Sequence, residues 1–365
     1  MKVCHLTSVH SHMDIRIFIK ECQSLASEGY EVHLVAPNAP NSIVKGINIH
    51  GVKNDEKKGR LNRMTKTVYQ VYKKGLEIDA DIYHFHDPEL IPVGIKLKKK
   101  GKKIIYDIHE DLPRAIMSKT WVKPFIRKFV ANIFEIFENK SAKKFDYLVT
   151  ATPFITKRFE KINNTININN YPLLDELKMI EDFSKQKKKL NAVCYVGGIS
   201  KIRGVNQLLE ASEHINGEII FAGPISSEDI KNKMNNLENV RYVGILDRKK
   251  VRDLLNSSIG GIVTFLPEPN HINAQPNKMF EYMSAGIPVI GSNFPLWKEI
   301  IDRKQCGICV DPMNPKAISD AINYLIEHPN KARDMGENAR LAIEEEYNWE
   351  AESEKLISLY KKLIN

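Results

Sequence analysis

Pro276-Asn277-Lys278-Met279-Phe280-Glu281-Tyr282-Met283-Ser284-Ala285-Gly286-Ile287-Pro288 reads as one short helix leading into a buried strand, Val289-Ile290. Pro276 at the first helical position presets the backbone and Gly286 stops it. The N–H groups of Asn277, Lys278 and Met279 then have no carbonyl inside the helix, and with the positive end of the helix dipole they suit a phosphate. Glu281 sits one turn further in, where its carboxylate can accept hydrogen bonds from a neutral diol such as a ribose. Diphosphate and sugar hydroxyls together point to a nucleotide-sugar. The same string also fits an ordinary amphipathic helix, so the surrounding sequence has to decide.

Working outward, apolar strands alternate with amphipathic helices. Strands read at Val3–Leu6, Val32–Val35, Ile82–His86, Lys103–Ile108 and Tyr147–Thr150, with a helix near Arg16–Ser27. The rhythm restarts at Ala192–Val196 and runs through Glu218–Phe221, Val240–Val243, Ile259–Thr264, Val289–Ile290 and Ile308–Val310. This predicts an α/β protein with two Rossmann-like, doubly wound parallel-sheet domains facing a cleft, with ligands at the carboxyl ends of the strands. The expected boundaries are residues 1–170 for an acceptor-side domain, 171–190 for a linker, 191–347 for a donor-binding domain and 348–365 for a terminal helix. The connection is read from Ile166–Pro172 and the polar stretch Asp182–Lys189.

At 365 residues, 42% hydrophobic and 27% charged, the chain has room for two cores and the composition of a globular protein. The start, Met1-Lys2-Val3-Cys4-His5-Leu6, lacks the pattern of a signal peptide, and no apolar run approaches the roughly 20 residues of a membrane span. A cytoplasmic protein is expected. Five cysteines make no disulfide framework, and Cys306-Gly307-Ile308-Cys309 has no second half to complete a metal site. No metal is expected. Residues 1–180 hold 30 Lys and Arg against 20 Asp and Glu, whereas residues 181–365 hold 24 against 25, so the whole basic excess lies in the first half. Such a half suits an anionic membrane face or a phosphorylated acceptor, or is a solvated lysine face. Nucleic acid is disfavoured because no recognition motif accompanies the charge. Trp121–Phe137 places Trp121, Phe125, Phe129 and Ile133 at spacing four with Lys123, Arg127 and Lys128 between them, the pattern of either a core-packed helix or one lying in a membrane interface.

Neither domain's first strand is followed by GxGxxG, which counts against a nicotinamide or flavin enzyme. Instead Cys194-Tyr195-Val196 ends in Gly197-Gly198, five residues ahead of Arg203, whose fork can hold diphosphate oxygens. In the first half, Tyr106-Asp107-Ile108 ends at His109-Glu110-Asp111-Leu112-Pro113, a polar string costly to bury without use. His84-Phe85-His86-Asp87-Pro88-Glu89 closes the strand before it. His10, Asp14, Arg16 and Lys20 crowd the first strand-to-helix junction, as an acceptor site led by Asp14 and Arg16 or as a capped, salt-bridged helix start.

These strings resemble those of retaining glycosyltransferases of family 4, glycosyl transferases group 1 with the GT-B fold. The resemblance runs from the first-domain strings to the terminal helix and is strongest between Tyr195 and Pro288. It implies a metal-independent retaining transferase of hexosyl or N-acetylhexosaminyl groups in polysaccharide or glycolipid assembly, with no cofactor beyond a nucleoside-diphosphate sugar. Its partners would be that donor, a carbohydrate or lipid-linked sugar acceptor, and an anionic membrane surface that makes it peripheral at the inner face of the plasma membrane. His109, Glu281 and Asn273 fall at the catalytic positions; Gly197, Gly198, Arg203, Gly244, Asn277, Lys278 and Glu281 at donor-binding positions; and Asp14, Arg16, His86 and Glu110 on the acceptor side. The chain departs from the family twice. Asn273 stands where the first of two carboxylates is found, and Gly198 where an arginine is common, with Lys201 or Lys278 available to compensate. A sugar-nucleotide binding protein without transferase activity and a nucleotide-sugar epimerase are the alternative readings.

Overall fold

The computed structural model describes residues 1–118, 123–174 and 191–364. Trp121 and most of the expected 171–190 linker lie outside the described residues. The chain divides into two compact units, Met1–Asn170 with Trp349–Asn365, and Tyr171–Asn348.

The first unit holds eight strands: β1 (Lys2–Leu6), β2 (Glu31–Pro37), β3 (Ser42–Val44), β4 (Ile47–Val52), β5 (Ile82–Phe85), β6 (Lys103–Ile108), β7 (Tyr147–Thr150) and β8 (Thr165–Asn167). They form one sheet in the order β3-β4-β2-β1-β5-β6-β7-β8, parallel except for the β3–β4 hairpin. Strands β3, β4 and β8 were not expected. The first two form a short hairpin in which β4 buries Ile47, Ile49 and Val52 in alternation with polar or small residues, so no continuous apolar run marks it. Strand β8 takes Ile166 and Asn167, assigned above to the domain connection, and pairs them with β7. On one face Leu6, Tyr83, Phe85, Ile104 and Tyr106 join helices Val68–Ile78 and Ile91–Lys98 in a continuous core. Helix Trp349–Ile364 belongs to this unit: its Leu356, Leu359 and Tyr360 are buried, and Trp349 donates its indole N–H to Ser24 Oγ at 3.0 Å.

The second unit is a six-stranded, wholly parallel sheet: β9 (Ala192–Val196), β10 (Glu218–Ala222), β11 (Val240–Tyr242), β12 (Gly260–Val263), β13 (Val289–Ser292) and β14 (Gly307–Val310). The order β11-β10-β9-β12-β13-β14 is the doubly wound 3-2-1-4-5-6 arrangement. Successive residues of β9 face opposite layers, Cys194 into one core and Val193 and Tyr195 into the other, which is why the strand is apolar throughout. In this topology the chain reverses between β9 and β12, so their carboxyl ends are where a ligand is expected. All five cysteines are free, and burial pushes Cys306 and Cys309 up to about 12, leaving them poor nucleophiles.

Candidate active site

In the second unit the predicted donor residues gather at that reversal. Gly197, at the end of β9, has φ +113°, and its N–H bonds the Ala222 carbonyl at 2.8 Å. Beside it Gly223 has φ +139°, and a Cβ there would lie 2.2 Å from the Gly197 oxygen, so both turns need glycine. Gly244 ends the next strand, its carbonyl accepting from the Gly223 N–H at 2.8 Å. The Gly198 carbonyl accepts from the Tyr195 hydroxyl at 2.9 Å and from Arg203 Nη1 at 3.3 Å, which fixes the loop and brings the guanidinium over it.

The decisive helix spans Asn277–Ser284, one residue later than expected: Pro276 is its N-cap with extended backbone. The Met279 N–H bonds the Pro276 carbonyl at 3.0 Å, so the donors without a helical partner are those of Asn277 and Lys278. Asn277 is exposed, whereas the Lys278 side chain turns inward and is buried. Its Nζ lies 3.5 Å from the centre of the Tyr195 ring and 5.3 Å from that of Phe265, with no hydrogen-bond partner. Burial and the neighbouring Arg203 hold its pKa well below the usual lysine value, with Glu281 opposing them. Arg203 itself lies over the other end of the cluster, 5.4 Å from the Phe265 ring centre. Two basic side chains therefore converge beside a glycine turn and a helix N-terminus. That arrangement is unfavourable by itself and suits an anion.

Glu281 is partly exposed and ion-paired, its Oε1 2.8 Å from Arg248 Nη1. Asn273 lies in a turn held by the Trp297 indole, which donates to the Ala274 carbonyl at 2.6 Å.

In the first unit one sheet face carries His5, His84, His86 and Asp107. His5 is opposite His84 in the β1–β5 register, and Asp107 lies two residues beyond Ile105, the β6 partner of His84. Over them runs a π-helix, Ile15–Cys22, whose i+5 spacing aligns Arg16 with Glu21. Arg16 grips both Asp107 oxygens at 2.9 Å, reaches the Ile168 carbonyl at 3.0 Å and lies 3.1 Å from Glu21 Oε1. Burial works against the Asp107 charge, but Arg16 and then His109 hold its pKa well below the carboxylate range. Glu21 goes the other way: burial, then the Asp107 charge, raises it well above that range, so it is a neutral acid.

The charge on Asp107 sets the direction of every hydrogen bond around it. As an acceptor only, its Oδ2 receives His109 Nε2–H at 2.8 Å and His86 Nδ1–H at 3.1 Å. His86 Nε2 must then accept from His5 Nδ1 at 3.0 Å, and His5 Nε2 from the Tyr360 hydroxyl at 3.4 Å. Tyr360 in turn accepts from His84 Nδ1 at 2.9 Å. The chain of donors leaves the His109 Nε2–H committed to Asp107 and the other edge of its ring free of this network. Burial pushes His86 down to about 4, which keeps it in the neutral form this chain requires.

Several acceptor-side expectations change. Arg16 is 4% exposed and fully engaged internally, so it supports the site rather than meeting a substrate. Asp14 is an N-cap, its Oδ1 accepting from the Arg16 and Ile17 N–H groups at 2.9 and 3.0 Å while Oδ2 pairs with His10 at 3.2 Å. His86 is buried in the network above. Glu110 is exposed, in the bend after β6, and His109 is partly exposed. Glu21, His84, His86 and Asp107 bring donor atoms within 4.8 Å of one another, but the Arg16 guanidinium grips Asp107 and lies against Glu21, so a divalent ion there would meet a buried positive charge. The sequence reading missed Asp107, Glu21 and His5. The one signal available was an acidic residue inside an otherwise apolar strand, Ile104-Ile105-Tyr106-Asp107-Ile108.

Residues 178–342 match the family model for glycosyl transferases group 1, and residues 17–166 match the model for glycosyltransferase family 4. The chain is a family 4 glycosyltransferase with the GT-B fold. An uncharacterized glycosyltransferase of Methanocaldococcus jannaschii is 23% identical over 99% of this chain and 96% of its own length. Among solved structures, sucrose-phosphate synthase from Thermosynechococcus elongatus superposes with a TM-score of 0.82 at 17% identity, covering 100% of this chain and 99% of that one. HepE of Anabaena, solved in complex with UDP, gives 0.74 at 14% identity, covering 99% and 100%. At these identities the structural likeness speaks for the fold, and the two family models speak for the transferase.

Proposed function

We propose that this glycosyltransferase moves a sugar, with retention, from a nucleoside diphosphate to an acceptor hydroxyl without a metal ion. The observation that carries the reading is Lys278, a buried lysine amine without a hydrogen-bond partner, set beside Arg203 and the first amides of helix Asn277–Ser284. Here the family's missing arginine, Gly198, leaves room, and Lys278 reaches the turn from the other side, its Nζ 3.5 Å from where a Gly197 Cβ would stand. Two fixed cations and two amides can neutralise a departing diphosphate, which is the service a metal gives elsewhere. HepE, solved with UDP, supports a uridine nucleotide as the first candidate.

The anomeric carbon's bond to the diphosphate oxygen breaks, the bond to the acceptor oxygen forms on the same face, and the acceptor's proton passes to the departing phosphate. No dedicated base is then needed. Glu281, held by Arg248, is assigned to the ribose and Asn273 to a sugar hydroxyl. His109, fixed by Asp107, is assigned to the sugar and its developing positive charge. Gly197, Gly198 and Gly244 offer backbone to the nucleotide. On the acceptor side Glu110 is the exposed candidate. The acceptor is assigned as a carbohydrate or lipid-linked sugar of cell-surface polysaccharide or glycolipid assembly, met at the inner face of the plasma membrane, with a hexosyl or N-acetylhexosaminyl group transferred.

The test is calorimetry against UDP-, GDP-, ADP- and TDP-sugars in the presence of EDTA, with Arg203→Ala and Glu281→Ala alongside. Binding of one donor that both variants lose supports the reading, and turnover of that donor with an acceptor excludes a mere binder or an epimerase. Binding that appears only with added divalent metal would overturn the metal-independent part.

A further inference from the structure

Helix Pro124–Ala142 is amphipathic in an inverted sense. Its 19 residues, about 28 Å long at 1.5 Å each, leave Phe125, Ile126, Phe129, Val130, Ile133, Ile136 and Phe137 exposed, Phe125 at 71% and Phe129 at 66%. At 100° per residue these seven side chains share one arc of about 140°, so they form a single stripe rather than scattered contacts. Core packing, the common fate of such a stripe, is therefore excluded for these residues. A monomer rarely shows so large a contiguous apolar face without a use for it.

The charges on the same helix say what the face meets. It has two carboxylates, and both turn inward onto arginines: Glu135 Oε1 is 2.8 Å from Arg114, and buried Glu138 accepts from Arg158 at 2.6 Å and from Tyr106 at 2.9 Å. The exposed charges at the rim of the stripe and just past its end are all positive: Lys123, Lys128, Lys140, Lys143 and Lys144. An apolar stripe rimmed by lysines with no exposed carboxylate is complementary to acyl chains beneath anionic headgroups. A second copy of the chain is a poor occupant, since face-to-face pairing would bring these lysines together with no acid to answer them.

We propose that helix Pro124–Ala142 lies in the plane of an anionic lipid bilayer, its phenylalanine and isoleucine stripe in the headgroup boundary and its lysines on the phosphates. This deepens the membrane-facing part of the function proposed above and rests on it for its purpose, but its test is independent of the donor. No helix among the described residues is long and apolar enough to cross a membrane, so this would be a surface attachment.

The experiment is vesicle flotation of the full chain with phosphatidylcholine alone and with phosphatidylcholine mixed with phosphatidylglycerol, at low and high salt. Calorimetry with the best nucleotide reports whether each variant is folded, and light scattering reports its mass. The wild type is expected to float with the anionic vesicles, about tenfold or more weakly with the neutral ones, and less at high salt. The double variant Phe125→Ser/Phe129→Ser should lose at least about tenfold on both vesicle types. Lys123→Gln/Lys128→Gln should lose mainly the anionic preference. Both should keep the wild-type nucleotide affinity. Wild-type protein that stays with the bulk solution, or a phenylalanine variant that floats as well as wild type, overturns the proposal; a doubled mass abolished by the phenylalanine changes, without flotation, gives the face to a second copy instead. Flotation without binding of any nucleotide would leave this surface standing while the donor reading fell.

Discussion

Replacing Lys278 by methionine should weaken the donor and strengthen the fold, and the opposite signs are what make the test sharp. Methionine keeps the length and flexibility of the side chain and can rest its sulfur on the Tyr195 ring, so packing is nearly conserved. What disappears is a buried amine with no hydrogen-bond partner, whose charged form is disfavoured by burial and by Arg203. Leaving such a group buried costs about 1–3 kcal/mol, and the lost cation–π contact returns about 1–2 kcal/mol of that, so a net gain on the order of 1 kcal/mol is expected. For a domain of this size that is a rise in Tm of about 2–4 °C. In the complex the same ammonium meets a phosphate, and a charge-assisted hydrogen bond of about 1.5–3 kcal/mol is lost, a fall in affinity of roughly 10- to 100-fold. The pH dependence follows with its sign. Lys278 has a lowered pKa when free and is driven back toward the charged form by an anion, so binding takes up a proton between those two values. Affinity then falls as pH rises through that window, by at most about tenfold per unit, and the dependence vanishes in the variant. Calorimetry in two buffers of different ionisation enthalpy and a thermal melt read all three quantities. Unchanged affinity in Lys278→Met, or a lower Tm with weaker binding, would show that Lys278 is a packing residue and refute the argument.

Four further outcomes follow from the first unit and the donor loop. Glu21→Gln should raise Tm near neutral pH and do nothing near pH 4: a raised folded-state pKa means the buried acid costs stability once pH exceeds the unfolded value of about 4.3, and glutamine carries no such cost. Asp107→Asn should instead destabilise by about 3–5 kcal/mol above pH 4, because it leaves Arg16 buried without its carboxylate, and a melt series from pH 3 to 8 separates the two variants. In single-turnover assays Asp107→Asn and His109→Ala should each slow transfer, and the double variant should be no slower than His109→Ala; independent, multiplying losses would show that Asp107 does not act through His109. Gly204→Ala should lower Tm in a thermal melt, since φ is +77° and the added Cβ would stand 2.0 Å from the Thr264 carbonyl oxygen; a melt equal to wild type would mean the loop relaxes freely.

The donor side was legible because its information is local. Proline, glycine and the apolar strands on either side fix helix Asn277–Ser284 within a residue, and the six strands of the second sheet were all readable as short apolar runs. What escaped there was the direction of Lys278: sequence treats a lysine as a solvent residue, and only the positions of Tyr195 and Phe265, more than 80 and 13 residues before it, show that it points inward. The first unit was harder for the same reason carried further. Arg16 and Glu21 share a face only because the helix takes π spacing, which no propensity scale signals, and their partner Asp107 is 91 residues from Arg16. Short edge strands such as β3 and β8 carry too few apolar residues for a periodicity to register.

The two units handle buried charge in opposite ways, and the difference bears on what each does. In the first, Arg16, Asp107, His86, His5 and Tyr360 satisfy one another in sequence, and a neutral Glu21 avoids a second negative charge beside Asp107. Such a chain of successive hydrogen bonds is rigid, and its outcome at the partly exposed end is one orientation of the His109 ring, fixed by Asp107. In the second, burial and Arg203 disfavour the charged form of Lys278, Glu281 offsets this only in part, and the amine has no hydrogen-bond partner, an arrangement that costs stability until an anion arrives. A scaffold that must hold a neutral sugar in one orientation gains from the first design, since reorganisation there would blur the geometry. A site that must favour the diphosphate more as its charge grows gains from the second, because uncompensated cations interact most strongly with the species that carries the most negative charge. On the proposed function, the two basic groups of the second unit would then stand where charge develops, and the hydrogen-bonded chain of the first unit where only position is needed.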